Sequence, residues 1–321
     1  MNASTARLLY NTTFSLYRLS PLYTGNILPP DNTFLARHAR KFQDIVCGES
    51  LRGVKMGTEN ENVVLLRAGS LQKVTWITLH DENLSDIEAD DNEKRGMLVT
   101  VSYENAEYRA IFLCMVNRND GFHHFSLLLT KMPLSLRKSL FDYLTTTFDT
   151  RISNLFIENK CMKDFFEKYI ADVCSNEFID DDDGRTETNL NLDNIVKDLV
   201  VRIGFDLPNG STSLKAIDIQ IPSEDLPRMI SMGETAGHIQ IFEAIGTYLR
   251  AFLALDINNS KVRISRISCA AFSLDAEGKL KLTLPSKPKE ISTQLRANRT
   301  LIASLIKAAI GTFMLSLSSD H

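Results

Sequence analysis

The sequence KVRISRISCAAFSLDAEGKLKLTL, residues 261–284, decides the fold class that we expect. Apolar and charged side chains alternate at its start, and the alternation returns at residues 279–284, after the turn-forming sequence Asp-Ala-Glu-Gly at 275–278. Successive side chains on a strand point to opposite faces of a sheet. The pattern therefore predicts a hairpin of two strands, Lys261–Leu274 and Lys279–Leu284.

The two faces of this predicted hairpin differ in chemistry. The apolar face carries Val262, Ile264, Leu280, Leu282 and Leu284, which we treat as candidate partner-binding residues. The basic face carries Lys261, Arg263, Lys279 and Lys281, which we treat as candidate DNA-facing residues. In one interpretation the apolar residues pack under the last helix and the lysines protect an edge strand. In the other, the hairpin edge binds a strand of another subunit and the basic face lies near DNA.

Positive charge is concentrated at this end of the chain. Residues 251–321 hold 10 Lys and Arg against 5 Asp and Glu, a net charge of +5, whereas the rest of the chain carries −9. The net charge of the whole chain is −4, which argues against a protein that holds nucleic acid through phosphate neutralisation alone. A stand-alone nucleic-acid-binding protein that uses the basic C-terminal hairpin is the alternative function.

The remaining pattern predicts an α+β fold with largely antiparallel, twisted sheets flanked by helices. Strands come in groups before helices and do not alternate strictly with them, which disfavours a doubly wound parallel sheet. Helices are predicted at 34–48, after Pro133, and at 162–173, 224–232, 239–255 and 301–317. Further strands are predicted at 14–23, 63–66, 74–79, 97–103, 108–116, 125–130, 199–205 and 214–221.

Two acidic segments interrupt this pattern. Residues 80–93 carry seven acidic residues, and residues 176–194 include four consecutive Asp at 180–183. The second segment has few large apolar groups, so we predict that it links an N-terminal half, residues 1–175, to a C-terminal half, residues 195–321. The Asp run does not fit an EF-hand. With Gly184 at loop position six, Ile179 and Leu190 fall where carboxylates are needed.

The common catalytic and cofactor-binding motifs are absent from the sequence. It contains no phosphate-binding loop, dinucleotide fingerprint, nucleophile elbow or zinc-helix motif. The five cysteines are spaced too widely for a disulfide framework or a CxxC metal site. Residues 301–317 are the most apolar stretch, but they include Lys307 and fall short of the roughly 20 residues that a membrane span needs. We expect no catalytic residue, metal, cofactor or membrane segment.

Segments at both ends of the chain resemble the centromere protein L (CENP-L) family. The sequence FSLYRLSPLY at residues 14–23 is similar to the family's N-terminal signature, with Phe14 where the family usually has Trp. A second region begins with SLKAIDIQIPSEDL at 213–226. It continues in family order with the helix through Phe252, the strand at 262–274, the sequence GKLKL at 278–282 and the apolar last helix. The acidic segments have no match in this resemblance.

The resemblance implies a non-enzymatic structural subunit of the inner kinetochore, within the constitutive centromere-associated network. Such subunits form a heterodimer with centromere protein N (CENP-N) through their C-terminal halves, and fungal members also self-associate. They help to connect the CENP-A nucleosome to the outer kinetochore, in the nucleus, and so support chromosome segregation in mitosis and meiosis. For this chain the resemblance implies a CENP-N-like partner, other inner-kinetochore subunits, indirect contact with centromeric DNA, and no cofactor. The brevity of the matched core suggests a fungal member.

Overall fold

The computed structural model describes residues 8–24, 32–51, 65, 67–80, 95–114, 122–175, 192, 194–206, 215–235, 238–284 and 291–317. The chain forms two compact units. The first comprises Met1–Ala6, Phe14–Leu155 and Ile306–His321, and the second comprises Arg7–Thr13 and Phe156–Leu305. The acidic segment 80–93 after His80, and nearly all of the predicted linker 176–194, lie outside the described residues. The division of the chain at that linker stays a prediction.

The first unit contains an antiparallel sheet. Its strands are β1 (Thr13–Leu19), β3 (Leu71–His80), β4 (Arg95–Tyr103), β5 (Glu107–Leu113) and β7 (Leu127–Lys131). A short strand, β8 (Ile152–Asn154), also pairs with β1. The strand order is β1-β7-β5-β4-β3. Two short strands, β2 (Leu22–Tyr23) and β6 (Phe122–His123), form a separate pair. A tight turn joins β4 to β5, and there the Tyr103 N–H donates to the Ala106 carbonyl at 2.8 Å.

Two helices complete the core of the first unit. Helix α1 (Asn32–Leu51) has apolar residues at helical spacing and packs against β3 and α2 (Leu134–Phe148). Pro133 directly precedes α2, where a proline costs no helical hydrogen bond. The core contains aromatic side chains from both helices and from β3, among them Phe34, Phe42, Trp76, Tyr143 and Phe148.

The second unit contains a five-stranded antiparallel arrangement. Its strands are β9 (Leu199–Phe205), β10 (Ala216–Ile221), β13 (Val262–Ser268), β14 (Phe272–Asp275) and β15 (Lys279–Leu282), in the order β10-β9-β13-β14-β15. The short strands β11 (Glu234–Thr235) and β12 (His238–Ile239) pair with each other. The N-terminal segment joins this unit, because Tyr10 forms a parallel bridge with Leu282 and the Asn11 N–H donates to the Leu282 carbonyl at 2.7 Å.

Helices pack on the strands of the second unit. They are α3 (Asn159–Cys174), a 3₁₀ turn (Ser223–Asp225) followed by α4 (Leu226–Gly233), α5 (Ile241–Leu253), and α6 (Ile291–Leu317), which belongs to this unit up to Leu305. Helix α3 contacts β13 and α5, and α4 packs against α5. The Tyr169 ring of α3 lies 4.7 Å from the Phe272 ring, centroid to centroid. Since α3 packs here, residues on both sides of the predicted linker contribute to one core.

The predicted fold class, α+β with antiparallel sheet and flanking helices, is confirmed. The strand at Leu199–Phe205 has the predicted bounds, and most other strands and helices lie within a few residues of theirs. The last helix was predicted at 301–317 and begins earlier, at Ile291. None of the helices in the described parts of the chain has the length and hydropathy that crossing a bilayer needs.

Two local predictions are wrong. The predicted single strand Lys261–Leu274 is two strands, β13 and β14, which pair antiparallel with each other. The chain reverses at Cys269–Ala271, where the Cys269 N–H donates to the Phe272 carbonyl at 2.8 Å. These small residues permit the reversal without the Gly, Pro or Asn that usually marks a turn. The strand predicted at 63–66 is contradicted at Leu65, the one described residue there, which is helical.

Candidate binding surfaces

The candidate partner-binding side chains are mostly buried within the second unit. Val262 is 5% exposed, Ile264 and Leu280 are 1% exposed, and Leu282 is fully buried. Leu284, two residues beyond the end of β15, is 37% exposed. These burials match the interpretation in which the apolar face packs inside the chain. Of the five candidates, Leu284 is the one whose side chain is open to a partner.

The register of the strands explains this burial. Val262 and Ile264 lie opposite Phe205 and Ile203 of β9. Leu280 and Leu282 lie opposite Leu274 and Phe272 of β14. The two apolar pairs are therefore not neighbours on one hairpin, as the sequence had suggested, because β13 and β15 lie on opposite sides of β14.

An asparagine of α3 holds the backbone of β13. The Asn159 side-chain amide donates to the Val262 carbonyl at 2.9 Å, and the Ile264 N–H donates to its Oδ1 at 2.8 Å. The register of β13 against β9 shifts between Ile264 and Arg266. Asn159 therefore satisfies backbone groups beside an irregularity in the ladder, and it fixes α3 against the sheet.

The candidate DNA-facing side chains lie on the opposite face, as the alternation predicted. Lys261, Arg263, Lys279 and Lys281 are all exposed. Gly204 of β9 provides a flat position beside Arg263, whose Nε lies 3.4 Å from where a Cβ on Gly204 would be. The guanidinium stem therefore lies along the sheet surface instead of extending away from it.

Two further arginines, which are not among the candidates from the sequence, share this face. Arg202 of β9 lies opposite both Asp218 of β10 and Arg266 of β13, and Arg266 lies opposite Asp275 of β14. Asp275 in turn lies opposite Lys279. Directly paired residues point to the same face, so these five side chains form one charged row across five strands. The alternation in LVVRIGF at residues 199–205 is the sequence signal for Arg202.

Ion pairs neutralise part of this charged row. Arg202 donates two hydrogen bonds to the Asp218 carboxylate, at 2.6 and 2.7 Å. This bidentate contact raises the pKa of Arg202 and lowers that of Asp218. Arg266 donates likewise to Asp275, and this hydrogen bond raises the pKa of Arg266. The positive potential of the face therefore comes mainly from Lys261, Arg263, Lys279 and Lys281.

Strand β10 is the terminal strand of this arrangement. Among the described strands it pairs only with β9. Ile217 and Ile219 are half-buried on one side, while Asp218 and Gln220 are exposed on the other. A charged residue in the middle of an edge strand discourages unwanted pairing. Among the described strands of this unit, β10 thus has an open edge, whereas the backbone of Leu282 in β15 is bridged by Tyr10 and bonded by Asn11.

Comparison with known proteins identifies one family. A family model described as centromere protein L (CENP-L) matches the chain over residues 8–310. No curated protein matches the chain. The matched range includes the strands β1 to β15 and both surfaces described above.

Proposed function

The chain belongs to the centromere protein L family, and on that premise we propose that it is a structural subunit of the inner kinetochore that forms a heterodimer with a CENP-N-like protein. Membership makes the chain a centromere protein of the kinetochore, which associates with other kinetochore subunits in the nucleus. The proposal adds a specific partner and a role in attachment to the CENP-A nucleosome and in chromosome segregation. The observation that carries it is the length of the match, residues 8–310 of 321.

We place the partner contact on the second unit. The burial of Val262, Ile264, Leu280 and Leu282 gives this unit a firm apolar core, so a partner would bind a preformed surface rather than complete the fold. Leu284 is the candidate residue whose exposed side chain supports a direct contact. A preformed surface favours stable pairing because less conformational freedom is lost on binding.

We further propose that the basic face lies near centromeric DNA in the assembled complex. The exposure of Lys261, Arg263, Lys279 and Lys281 on one face supports this proposal. The ion pairs of Arg202 and Arg266 neutralise two further cations of that face, and the whole chain is acidic. These two facts favour DNA contact that depends on other subunits over the alternative, a stand-alone nucleic-acid-binding protein.

Purification of the chain with a CENP-N-like protein from the same organism tests the heterodimer. The expected result is a 1:1 complex in size-exclusion chromatography with light scattering. The chain alone, measured at the same concentration, shows whether it also forms a homodimer. A folded chain that elutes separately from that protein at micromolar concentration would refute the proposed heterodimer.

A further inference from the structure

The last two turns of α5 expose apolar side chains to solvent. Phe252 is 73% exposed, Leu253 is 55% exposed and Tyr248 is 45% exposed. Ala251 and Ala254 are exposed as well. The side of α5 that packs in the second unit carries Phe242, Ile245 and Leu249, all buried. The end of this helix is therefore apolar on its solvent side as well as on its core side.

This arrangement is unusual for a helix at a protein surface. A surface helix normally carries polar residues on its outer side, and a helix that is apolar all round is normally covered. Single exposed apolar residues need no explanation, but a contiguous set marks an interaction site. Tyr248 and Phe252 are one turn apart, and their ring centroids are 4.7 Å apart, so they form one continuous surface.

The helix end is held rigidly. Ala254 adopts a left-handed conformation with φ of 51°, and the Leu255 N–H donates to the Leu249 carbonyl at 3.2 Å. Ile257 packs against the helix beside Gly246, where its Cγ2 would lie 3.1 Å from an added Cβ. Rigid support of this kind lowers the entropy that an anchor residue loses when a partner binds.

The exposed apolar area at the end of α5 is large enough to form the centre of a protein interface. A fully buried aromatic side chain removes about 150–250 Å² from solvent, so the exposed parts of the Tyr248 and Phe252 rings offer about 240 Å² together. A standard interface buries about 800 Å² on each partner, and most of its binding energy comes from a few central aromatic or arginine residues. The two rings, with Leu253, supply such a centre.

The charge of this surface indicates the kind of partner. Arg250 and Asp256 lie at its edge and form an ion pair, with Nη2 and Oδ1 3.5 Å apart. Asp256 also accepts a hydrogen bond from the Asn258 N–H. The two charges offset each other, and the Lys163 ammonium group is hydrogen-bonded to Asn258 at 2.8 Å, so the surface carries little net charge to attract DNA phosphates or a strongly acidic peptide. It fits a protein surface with an uncharged, apolar groove.

We infer that the exposed end of α5, formed by Tyr248, Phe252 and Leu253, anchors the partner subunit of the proposed heterodimer. This inference rests on the proposed function, because it names where that partner binds. An apolar groove on the partner would take up the Phe252 ring, and Tyr248 would line the contact beside it.

Titration of the purified CENP-N-like protein against Phe252→Ala and Tyr248→Ala tests the inference. Both residues are exposed, so the thermal unfolding midpoints should equal that of the wild type. We expect the Kd to rise at least tenfold for Phe252→Ala, the usual effect of a central aromatic residue. The matched control is Ile77→Ala, an exposed apolar residue of β3 in the first unit, 48% exposed, which should leave the Kd unchanged.

The outcomes separate the inference from the proposed function. If the wild-type chain binds the partner and both variants bind equally well, the inference is wrong and the heterodimer stands. If the wild-type chain does not bind, the heterodimer itself is wrong and the inference falls with it. If the wild-type chain alone is a dimer that Phe252→Asp converts to a monomer, the surface binds a second copy, and the inference is overturned.

Discussion

In the core of the first unit, the Nδ1 atom of His38 lies 2.6 Å from the hydroxyl oxygen of Tyr143. Phe34 and Phe148 lie against the same imidazole, with ring centroids 4.3 and 4.9 Å away. Burial, aided by the charges of Lys41 and Arg37, lowers the pKa of His38 from 6.5 to about 4. The imidazole is therefore neutral in the folded protein at neutral pH, as an apolar environment requires.

Stability should accordingly fall in acid. The pKa of His38 is lower in the folded than in the unfolded state. The contribution of His38 to the free energy of unfolding is therefore fully present above pH 6.5 and is lost as the pH falls toward 4. Each unit of pKa difference corresponds to about 1.4 kcal/mol, so the total loss is about 3 kcal/mol. Urea unfolding of the wild type and of His38→Gln at pH 7, 5.5 and 4.5 measures this. The difference between the two proteins should shrink as the pH falls, and a constant difference would contradict the assignment to His38.

Leu282 should behave as a core residue. It is fully buried in β15, so Leu282→Ala should lower the free energy of unfolding by about 2–5 kcal/mol. Lys281→Ala is the matched control, because its side chain is exposed on the neighbouring position and its loss should change stability by less than about 0.5 kcal/mol. Chemical denaturation measures both. Equal stability of Leu282→Ala and wild type would mean that the leucine contacts a partner instead of the core.

Asn298 should be needed for the stability of the second unit. It accepts a hydrogen bond from the Tyr169 hydroxyl at 3.1 Å and donates to the Tyr10 hydroxyl at 3.3 Å, and all three residues are buried. Asn298→Leu removes both contacts and should cost about 2–4 kcal/mol, since buried hydroxyls lose their partner. The control is Ser292→Ala, an exposed position in the first turn of the same helix. Similar unfolding midpoints for the two variants would show that the hydrogen bonds of Asn298 to Tyr169 and Tyr10 contribute little to stability.

The basic face should determine how the reconstituted heterodimer depends on salt when it binds duplex DNA. Replacing Lys261, Arg263 and Lys281 together by Ala removes three exposed cations. The slope of log K against log salt should fall by about 3, because each phosphate contact contributes about one unit. Fluorescence anisotropy at several salt concentrations measures the slope. The single variant Asp218→Asn, which frees Arg202 on the same face, should instead strengthen binding to DNA. If neither variant changes the affinity or the slope, this face does not contact DNA.

Sequence alone predicts the strand Leu199–Phe205 with its bounds, and it predicts the strand that begins at Lys279, although that strand ends at Leu282 and not at the predicted Leu284. It fails at Cys269–Ala271, because alternation continues on both sides of a turn that has no turn-forming residue. Periodicity also shows that Phe166 and Tyr169 are buried, but not which strands cover them.

The candidate surfaces could be predicted in part. Period-two alternation predicts that the basic and the apolar residues lie on opposite faces, and in the structure burial alternates in this way along β13 and β15. The burial of the apolar set agrees with one of the two interpretations of the sequence, but the strands that cover it, β9 and β14, could not be identified from alternation alone. The ion pair between Arg202 and Asp218 joins residues 16 positions apart, and only the strand register reveals it. The exposed rings of α5, Tyr248 and Phe252, have the helical spacing that is typical of a buried helix face. Sequence periodicity cannot distinguish such a buried face from an apolar face that is open to solvent.

The hydrogen bond between Tyr10 and Asn298 has a consequence for biosynthesis. The two residues are 288 positions apart, so Tyr10 emerges from the ribosome long before its neighbour in α6 exists. At about 5–20 residues per second, the nascent N-terminal segment waits roughly 15 to 60 s for that helix. The second unit therefore completes this part of its core only after α6 has been synthesised, although its N-terminal segment is among the first residues made.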